Sequence, residues 1–329
     1  MGSETGTAVG LAVIGLGVIG RRMLEQVGRR DDFEIVGAWD VSEAARDAAG
    51  RDFPGTRLAA NAEALIADPR VRVVYIGTPP AHHRHYALLA ARAGKRVFCE
   101  KPLAVDLPEG ERLVDEMRAA ETPNAVNFVF ASAPGARALA SMLESGRIGA
   151  PVAVDTRLHF ARWPRDWQAN AQWLRYRAEG GFVREVLSHF VYLMTDLFGG
   201  CECRDAIVDW PSDPLLCERS ALSAFDCNGI RATASATAGS GGPDEVVFTV
   251  RGERGALRLE DWHRLSIDEG AGWKPVDVDF APHPDLRIAA YQAQLDALGR
   301  FARGEPHRLP DMATALAVQR VIERVLAKG

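Results

Sequence analysis

A glycine triplet, Gly15-Leu16-Gly17-Val18-Ile19-Gly20, directly follows an apolar, β-branched run and opens a segment of helical periodicity. Glycines at this spacing let a strand turn sharply into a helix. They also bring backbone N–H groups and the positive end of that helix against an anionic group. A second apolar run ends at Asp40, about twenty residues past Gly20, the spacing of an acid that accepts hydrogen bonds from an adenosine ribose. Gly15, Gly17, Val18, Ile19, Gly20 and Asp40 are therefore the candidate residues for holding a dinucleotide. A carboxylate there repels a 2′-phosphate, and Val41 and Ser42 supply no cation, so NAD is favoured. Arg46, on the following helix, is the cation through which NADP could still be accommodated.

The first part of the chain alternates strand and helix. Ala8–Ile14, Phe33–Trp39, Val71–Ile76 and Arg96–Cys99 read as buried strands of a parallel sheet, because they are nearly continuous apolar runs. Helical segments lie between them: Val18–Val27 before Gly28, Ala62–Ala67 capped by Asn61, and Ala87–Ala93 stopping at Gly94. This order predicts an α/β, doubly wound Rossmann domain over residues 7–124. Beyond it strands follow one another: Ala150–Phe160, Cys203–Trp210, Ser220–Asp226, Arg231–Ala238, Glu245–Arg251 and Ala256–Leu259, with hairpin signals such as Cys227-Asn228-Gly229-Ile230. A helix at about Gly181–Leu197 interrupts them, and Asp285–Arg303 and Asp311–Ala327 close the chain. Residues 125–329 thus read as an α+β substrate-binding and oligomerisation domain with a large, mainly antiparallel open sheet.

Lys+Arg 39 against Asp+Glu 44 gives a net charge of −5 with no basic cluster, which disfavours nucleic acid as a partner. No apolar run approaches the ~20 residues of a membrane span. The start, Gly2-Ser3-Glu4-Thr5, lacks the basic region of a secretory signal, and five cysteines suit reduced thiols, so a cytoplasmic location is expected. Cys201, Cys203, Cys217 and Cys227 do not have the paired spacing of zinc ligands, and His82, His83 and His85 have no carboxylate at ligand spacing, so no metal is expected. Exposed sheet faces of this kind pair, which predicts a homodimer or homotetramer.

Further landmarks are Thr78-Pro79-Pro80-Ala81-His82-His83, Ala93-Gly94-Lys95-Arg96-Val97-Phe98-Cys99-Glu100-Lys101-Pro102, and Gly180-Gly181 eight residues before His189. With these the chain resembles, nearly end to end, the glucose-fructose oxidoreductase / inositol 2-dehydrogenase / rhizopine catabolism (Gfo/Idh/MocA) family. The resemblance implies an NAD(P)-dependent oxidoreductase that moves a hydride between nicotinamide and a sugar, cyclitol or related alcohol. By the same resemblance Lys101 is the motif lysine and His189 the motif histidine, and Glu185 stands where an Asp is usual. Thr78, Pro79, Pro80, His83, Glu100 and Lys101 would line the cofactor, and the Lys101-Pro102 bond would be cis. The sequence departs from the family pattern at Glu185, at Tyr192 and at Val129-Phe130, all near the expected site. Two alternatives stay open: a glycoside hydrolase that retains its NAD as a hydride shuttle, and a cofactor-sensing regulator without catalysis.

Oxidising an alcohol by hydride transfer needs a base for the hydroxyl proton, and ketone reduction needs the same group as an acid. Lys101 can serve if desolvated or set beside positive charge, and His189 titrates near neutrality unaided. Four residues apart on one helix, Glu185 and His189 would share a face, so Glu185 could orient the imidazole. Gly180-Gly181 would let a ligand approach closely. The segment 162–177 concentrates Trp163, Trp167 and Trp173 with Arg162, Arg165, Arg175 and Arg177. Arg162, Trp163, Trp173 and Tyr192 are the candidate substrate wall for a ring-shaped small molecule, acidic or neutral, the competing role for 162–177 being a dimer interface.

Overall fold

In a computed structural model of the chain, residues 8–278 and 285–328 are described. Gly2-Ser3-Glu4-Thr5 lies outside them. The chain divides into two compact units, one of residues 1–127 with 295–316, the other of 128–294 with 317–329.

The first unit alternates strand and helix as its punctuation predicts. In order it holds β1 (Val9–Ile14), α1 (Val18–Val27), β2 (Phe33–Trp39), α2 (Glu43–Asp52), α3 (Ala62–Ile66), β3 (Val73–Ile76), α4 (His83–Arg92), β4 (Arg96–Cys99), α5 (Leu107–Ala119) and β5 (Asn124–Val126). The five strands pair in parallel in the order β2-β1-β3-β4-β5. Every residue of β1 and β3 is buried, as continuous apolar runs in a parallel sheet require. Side chains start the helices: Ser42 Oγ, Asn61 Oδ1 and Asp106 Oδ1 accept the amides of Ala45, Ala64 and Glu109. Leu295–Leu316 joins this unit through the Arg30–Asp296 ion pair at 2.6 Å and the Val126 N–H donated to the Pro310 carbonyl at 2.8 Å. Strand order reverses between β1 and β3, the switch point at which such sheets bind ligands beyond their carboxyl ends.

The second unit opens with a helix, α6 (Pro134–Glu144), ahead of its strands. There follow β6 (Pro151–Phe160), α7 (Ser188–Phe198), β7 (Glu202–Asp209), β8 (Ser220–Cys227), β9 (Ile230–Ala238), β10 (Glu245–Gly252), β11 (Ala256–Glu260), β12 (Arg264–Asp268) and β13 (Lys274–Pro275). The sheet runs β13-β12-β11-β10-β6-β9-β8-β7, antiparallel except for the β6–β9 pair. Alternation along β6 and β9 puts Val154, Leu158, Phe160, Ala232, Ala234 and Ala236 on the buried face and Arg157, Thr233 and Ser235 on the open one. The last helices, α8 (Leu286–Arg303) and α9 (Met312–Leu326), each contribute residues to both units.

Some elements lie beyond what the sequence announces. Three-residue β5 and two-residue β13 are too brief to carry a periodic signal, and α5, α6 and β12 add to the elements expected from punctuation. The helix expected at Gly181–Leu197 begins instead with a π-helical turn at Val183–Leu187 and turns α-helical at Ser188. No composition marks a π turn, but such turns gather at functional sites.

Candidate functional site

In the first unit each glycine of the loop does something different. Gly15 adopts φ +95, and a Cβ there would lie 2.7–2.8 Å from the Gly77–Thr78 backbone, so the turn after β1 rests on the turn after β3. A Cβ at Gly20 would meet the Gly15 carbonyl oxygen at 1.8 Å, whereas one at Gly17 meets nothing within 4 Å. Gly15 and Gly20 thus close the loop on itself, and Gly17, at the N-terminus of α1, leaves open space where a pyrophosphate would sit.

Asp40 directly follows β2, with its carboxylate held by the amides of Leu16 at 2.6 Å and Ser42 at 2.8 Å, which fixes it against the same loop. Each oxygen keeps a second lone pair for a ribose hydroxyl. Arg46 donates through Nη1 to the carbonyls of Asp40 and Val41 at 2.6 and 3.2 Å, which draws it onto the backbone beside Asp40.

His83 is buried, with its ring nitrogens 2.9 Å from the Thr78 carbonyl and 3.2 Å from that of Leu103. It ties the turn after β3, Thr78-Pro79-Pro80, to the segment after Lys101, whose bond to Pro102 is cis. Burial lowers His83 to about 4, so it is neutral and donates to only one of the two carbonyls. Glu100 accepts from Tyr75 Oη and Asn127 Nδ2, both at 2.6 Å. Thr78 Oγ1, in the turn after β3, is buried with no hydrogen-bond partner among the described residues. These features fit a dinucleotide.

In the second unit His189 is enclosed edge-on by rings. Phe128, Phe130 and Trp262 lie 5.7, 6.3 and 5.5 Å from it, all near perpendicular. Tyr192 stacks on Phe128 at 4.7 Å, and Trp262 stacks on Phe130 at 5.7 Å. Two departures from the family pattern, Tyr192 and Phe130, therefore fall in one aromatic cluster with the histidine. Trp262, which sequence reasoning missed, sits with Asp261 at positive φ in the turn between β11 and β12. A bulky residue there without glycine is strained, which gives no sequence signal and marks a special site.

Glu185 is held by Gln168, whose Nε2 donates to Oε1 at 3.0 Å, and Arg165 Nη2 stands 4.0 Å from the same oxygen. Arg165 donates to Gln168 Oε1 at 2.9 Å and lies over the rings of Phe160, Trp163 and Trp167 at 5.1, 5.8 and 4.7 Å. Arg177 of the same segment stacks on Trp210 at 3.7 Å, so two of its cations are organised by rings. Arg162, the expected wall residue, is 77% exposed in its side chain and meets Asp166 at 3.3 Å. Trp163 donates to the Leu174 carbonyl at 2.9 Å and packs on Phe160 and Phe182, so it braces the segment, and Trp173 is half-buried.

Gly180 and Gly181 have an internal reason, which corrects the reading that they admit a ligand. A Cβ at Gly180 would lie 2.4–2.6 Å from the Trp173–Leu174 backbone, and one at Gly181, where φ is +100, 2.5–2.9 Å from the Glu218 carboxylate.

The first unit is thus a dinucleotide-binding domain of the oxidoreductase type. Residues 9–128 match the description "Oxidoreductase family, NAD-binding Rossmann fold", and residues 136–258 match the "GFO/IDH/MocA C-terminal domain". The chain belongs to the GFO/IDH/MocA oxidoreductase family. It is 33% identical over 180 residues to the 1,5-anhydro-D-fructose reductase of Ensifer adhaerens, covering 54% of this chain and 53% of that protein. It is 36% identical over 149 residues to an inositol 2-dehydrogenase of Pseudomonas savastanoi pv. phaseolicola, covering 44% of each. The matched stretch therefore spans about half the length of these relatives. Among solved structures, an oxidoreductase from Agrobacterium radiobacter in complex with NAD+, L-tartaric acid and magnesium superposes with TM-score 0.84 at 20% identity, covering 98% of this chain and 96% of that one. The WlbA dehydrogenase from Bordetella pertussis, in complex with NADH and UDP-GlcNAcA, gives 0.79 at 22%, covering 98% and 96%. No described helix is long and apolar enough to cross a membrane.

Proposed function

We propose that this chain is an NAD-dependent dehydrogenase or reductase acting on a CH–OH group of a sugar, cyclitol or related polyhydroxylated small molecule. The observation that carries the reading is the open face of Gly17 at the N-terminus of α1, beside a fixed Asp40. The names of the matched relatives, an anhydrofructose reductase and an inositol dehydrogenase, support the substrate class. Bound NAD supplies the hydride acceptor. Gly17 and the first amides of α1 would hold its pyrophosphate, Asp40 would hold its ribose, and Thr78 would line it beside the switch point.

Lys101 and His189 are the groups we assign to the substrate's hydroxyl proton. The edges of three rings fix the plane of the His189 imidazole, so its nitrogens keep one direction while a proton moves. Glu185, pinned by Gln168, presents a fixed acceptor for a substrate hydroxyl. A fluorescence titration with NADH tests the cofactor. A screen of sugars, sugar acids and cyclitols with NAD and NADP then tests the reaction, and absence of NADH binding at millimolar concentration overturns the reading. Turnover of a glycoside without net change in NAD would transfer the chain to the hydride-shuttle hydrolases.

We further propose that a second copy of the chain covers the open sheet face. Ile207 and Leu222, 71% and 53% exposed, are direct cross-strand neighbours on β7 and β8. Two charge pairs on that face, Arg157 with Glu245 and Arg251 with Asp155, are satisfied within the chain, which lowers the repulsion between two like faces. A monomeric mass by light scattering at micromolar concentration would refute it.

A further inference from the structure

The turn that starts the site helix is closed from behind by an acid that the proposed chemistry does not use. Glu218 lies just before β8 and is 2% exposed. Its Oε1 accepts the Val183 amide at 2.7 Å. Its carboxyl also fills the space that a side chain at Gly181 would need. From that turn the helix continues directly, since the Glu185 amide donates to the Gly181 carbonyl at 3.0 Å.

The neighbouring charges face elsewhere. Arg184 binds Glu323 of α9 at 2.7 and 2.8 Å and donates through Nη1 to the carbonyls of Arg177 and Gly180. That fork is spent on Glu323 and the turn. Glu218 Oε2 has no hydrogen-bond partner among the described residues, and burial, with Glu323 nearby, raises the acid to about 7. A residue that merely filled space here would be apolar, because a buried acid with one unsatisfied oxygen is costly.

We propose that Glu218 is a positioning residue: its buried carboxyl clamps the Gly181–Val183 turn and thereby sets where the helix presents Glu185 and His189. The assignment rests on the proposed function only for what Glu185 and His189 do, and not for the clamp.

The test compares Glu218→Ala, which removes the clamp, with Glu218→Gln, which keeps an oxygen for the Val183 amide, in the full chain. Three readouts are taken: the imidazole resonance of His189, identified by its loss in His189→Asn, together with amide exchange at Val183–Glu185; NADH affinity by fluorescence; and turnover of myo-inositol and 1,5-anhydro-D-fructose with NAD(H). In Glu218→Ala the His189 resonance shifts, amide exchange at Val183–Glu185 rises at least about tenfold, and kcat falls at least about tenfold, while NADH affinity stays within about twofold. Glu218→Gln restores the resonance and brings kcat to within about threefold.

If Glu218→Ala does not fold, Glu218→Asp, which withdraws the carboxyl by one methylene, takes its place with the same expected losses. An unmoved His189 resonance and unchanged exchange in a folded Glu218→Ala or Glu218→Asp overturn the clamp, as does an equal shift in Glu218→Gln. Absence of NADH binding and of turnover in the wild type overturns the proposed function instead, and the resonance and exchange still decide the clamp.

Discussion

Replacing His83 by Phe should change the sign of its effect on stability between neutral and acid pH. Phe keeps most of the imidazole's volume but offers no N–H, so the bond to Thr78 or Leu103 is lost and both carbonyls stay buried. One lost bond plus a stranded acceptor costs about 2 kcal/mol. At pH 7 the variant should therefore be less stable than the wild type by that amount.

Burial holds His83 at about 4 in the folded chain against an ordinary value near 6.5. A depressed folded value means that the unfolded chain binds the proton first, so stability is full above pH 6.5 and falls as pH drops toward 4. At 1.36 kcal/mol per pH unit the wild type loses about 3 kcal/mol across that window, a loss that the His83→Phe variant does not share. The two stabilities cross near pH 5, and at pH 4 the variant is about 1 kcal/mol the more stable. His263, lowered to about 4 in the same way, is present in both proteins and cancels in the difference. Urea denaturation at pH 7, 6, 5 and 4.5 measures it from midpoints and slopes. A deficit that is the same at pH 7 and pH 4.5 would refute a neutral, bridging His83.

Gly17→Ala should fold with its melting temperature within about 2 °C of wild type while NADH affinity drops at least about tenfold, because only the ligand's space is filled. Gly20→Ala puts a methyl group into the Gly15 carbonyl and should lose stability and NADH binding together in thermal melts with and without cofactor. Arg162→Ala should change stability by less than about 0.5 kcal/mol, as for an exposed pair, whereas Arg165→Ala, which strips the cation from three rings and from Gln168, should cost about 2–3 kcal/mol in urea denaturation. Lys101→Met should lower turnover at least about 10²-fold with NADH affinity nearly intact, by steady-state kinetics beside fluorescence titration.

The first unit was legible because its signals are local. A β-branched run, three glycines and an acid lie within about thirty residues, and each does its work beside its sequence neighbours. Of the site proposed in the second unit, the sequence pointed only to His189 and Glu185, since what arranges them comes from far along the chain. Trp262 reaches His189 from a hairpin turn with no glycine to announce it, and Glu218 reaches Gly181 across 37 residues. A glycine pair signals close approach without saying of what, so Gly180-Gly181 suggested a ligand where the occupants are the Leu174 backbone and a carboxyl. Arg162 and Arg165 look alike in sequence, and only the packing of Phe160, Trp163 and Trp167 tells the organised cation from the solvated one.

The parallel pairing of β6 with β9 bears on how the protein comes to be made. These two strands are hydrogen-bonded neighbours, yet about seventy residues separate the end of one from the start of the other, and that stretch contains Arg165, Glu185, His189 and Glu218. During synthesis β6 waits for β9 with its edge uncovered, and the closure entropy of the whole intervening segment must be met before the pairing stabilises anything. Substitutions in that segment should therefore register in the rate and yield of folding at least as much as in the stability of the finished molecule.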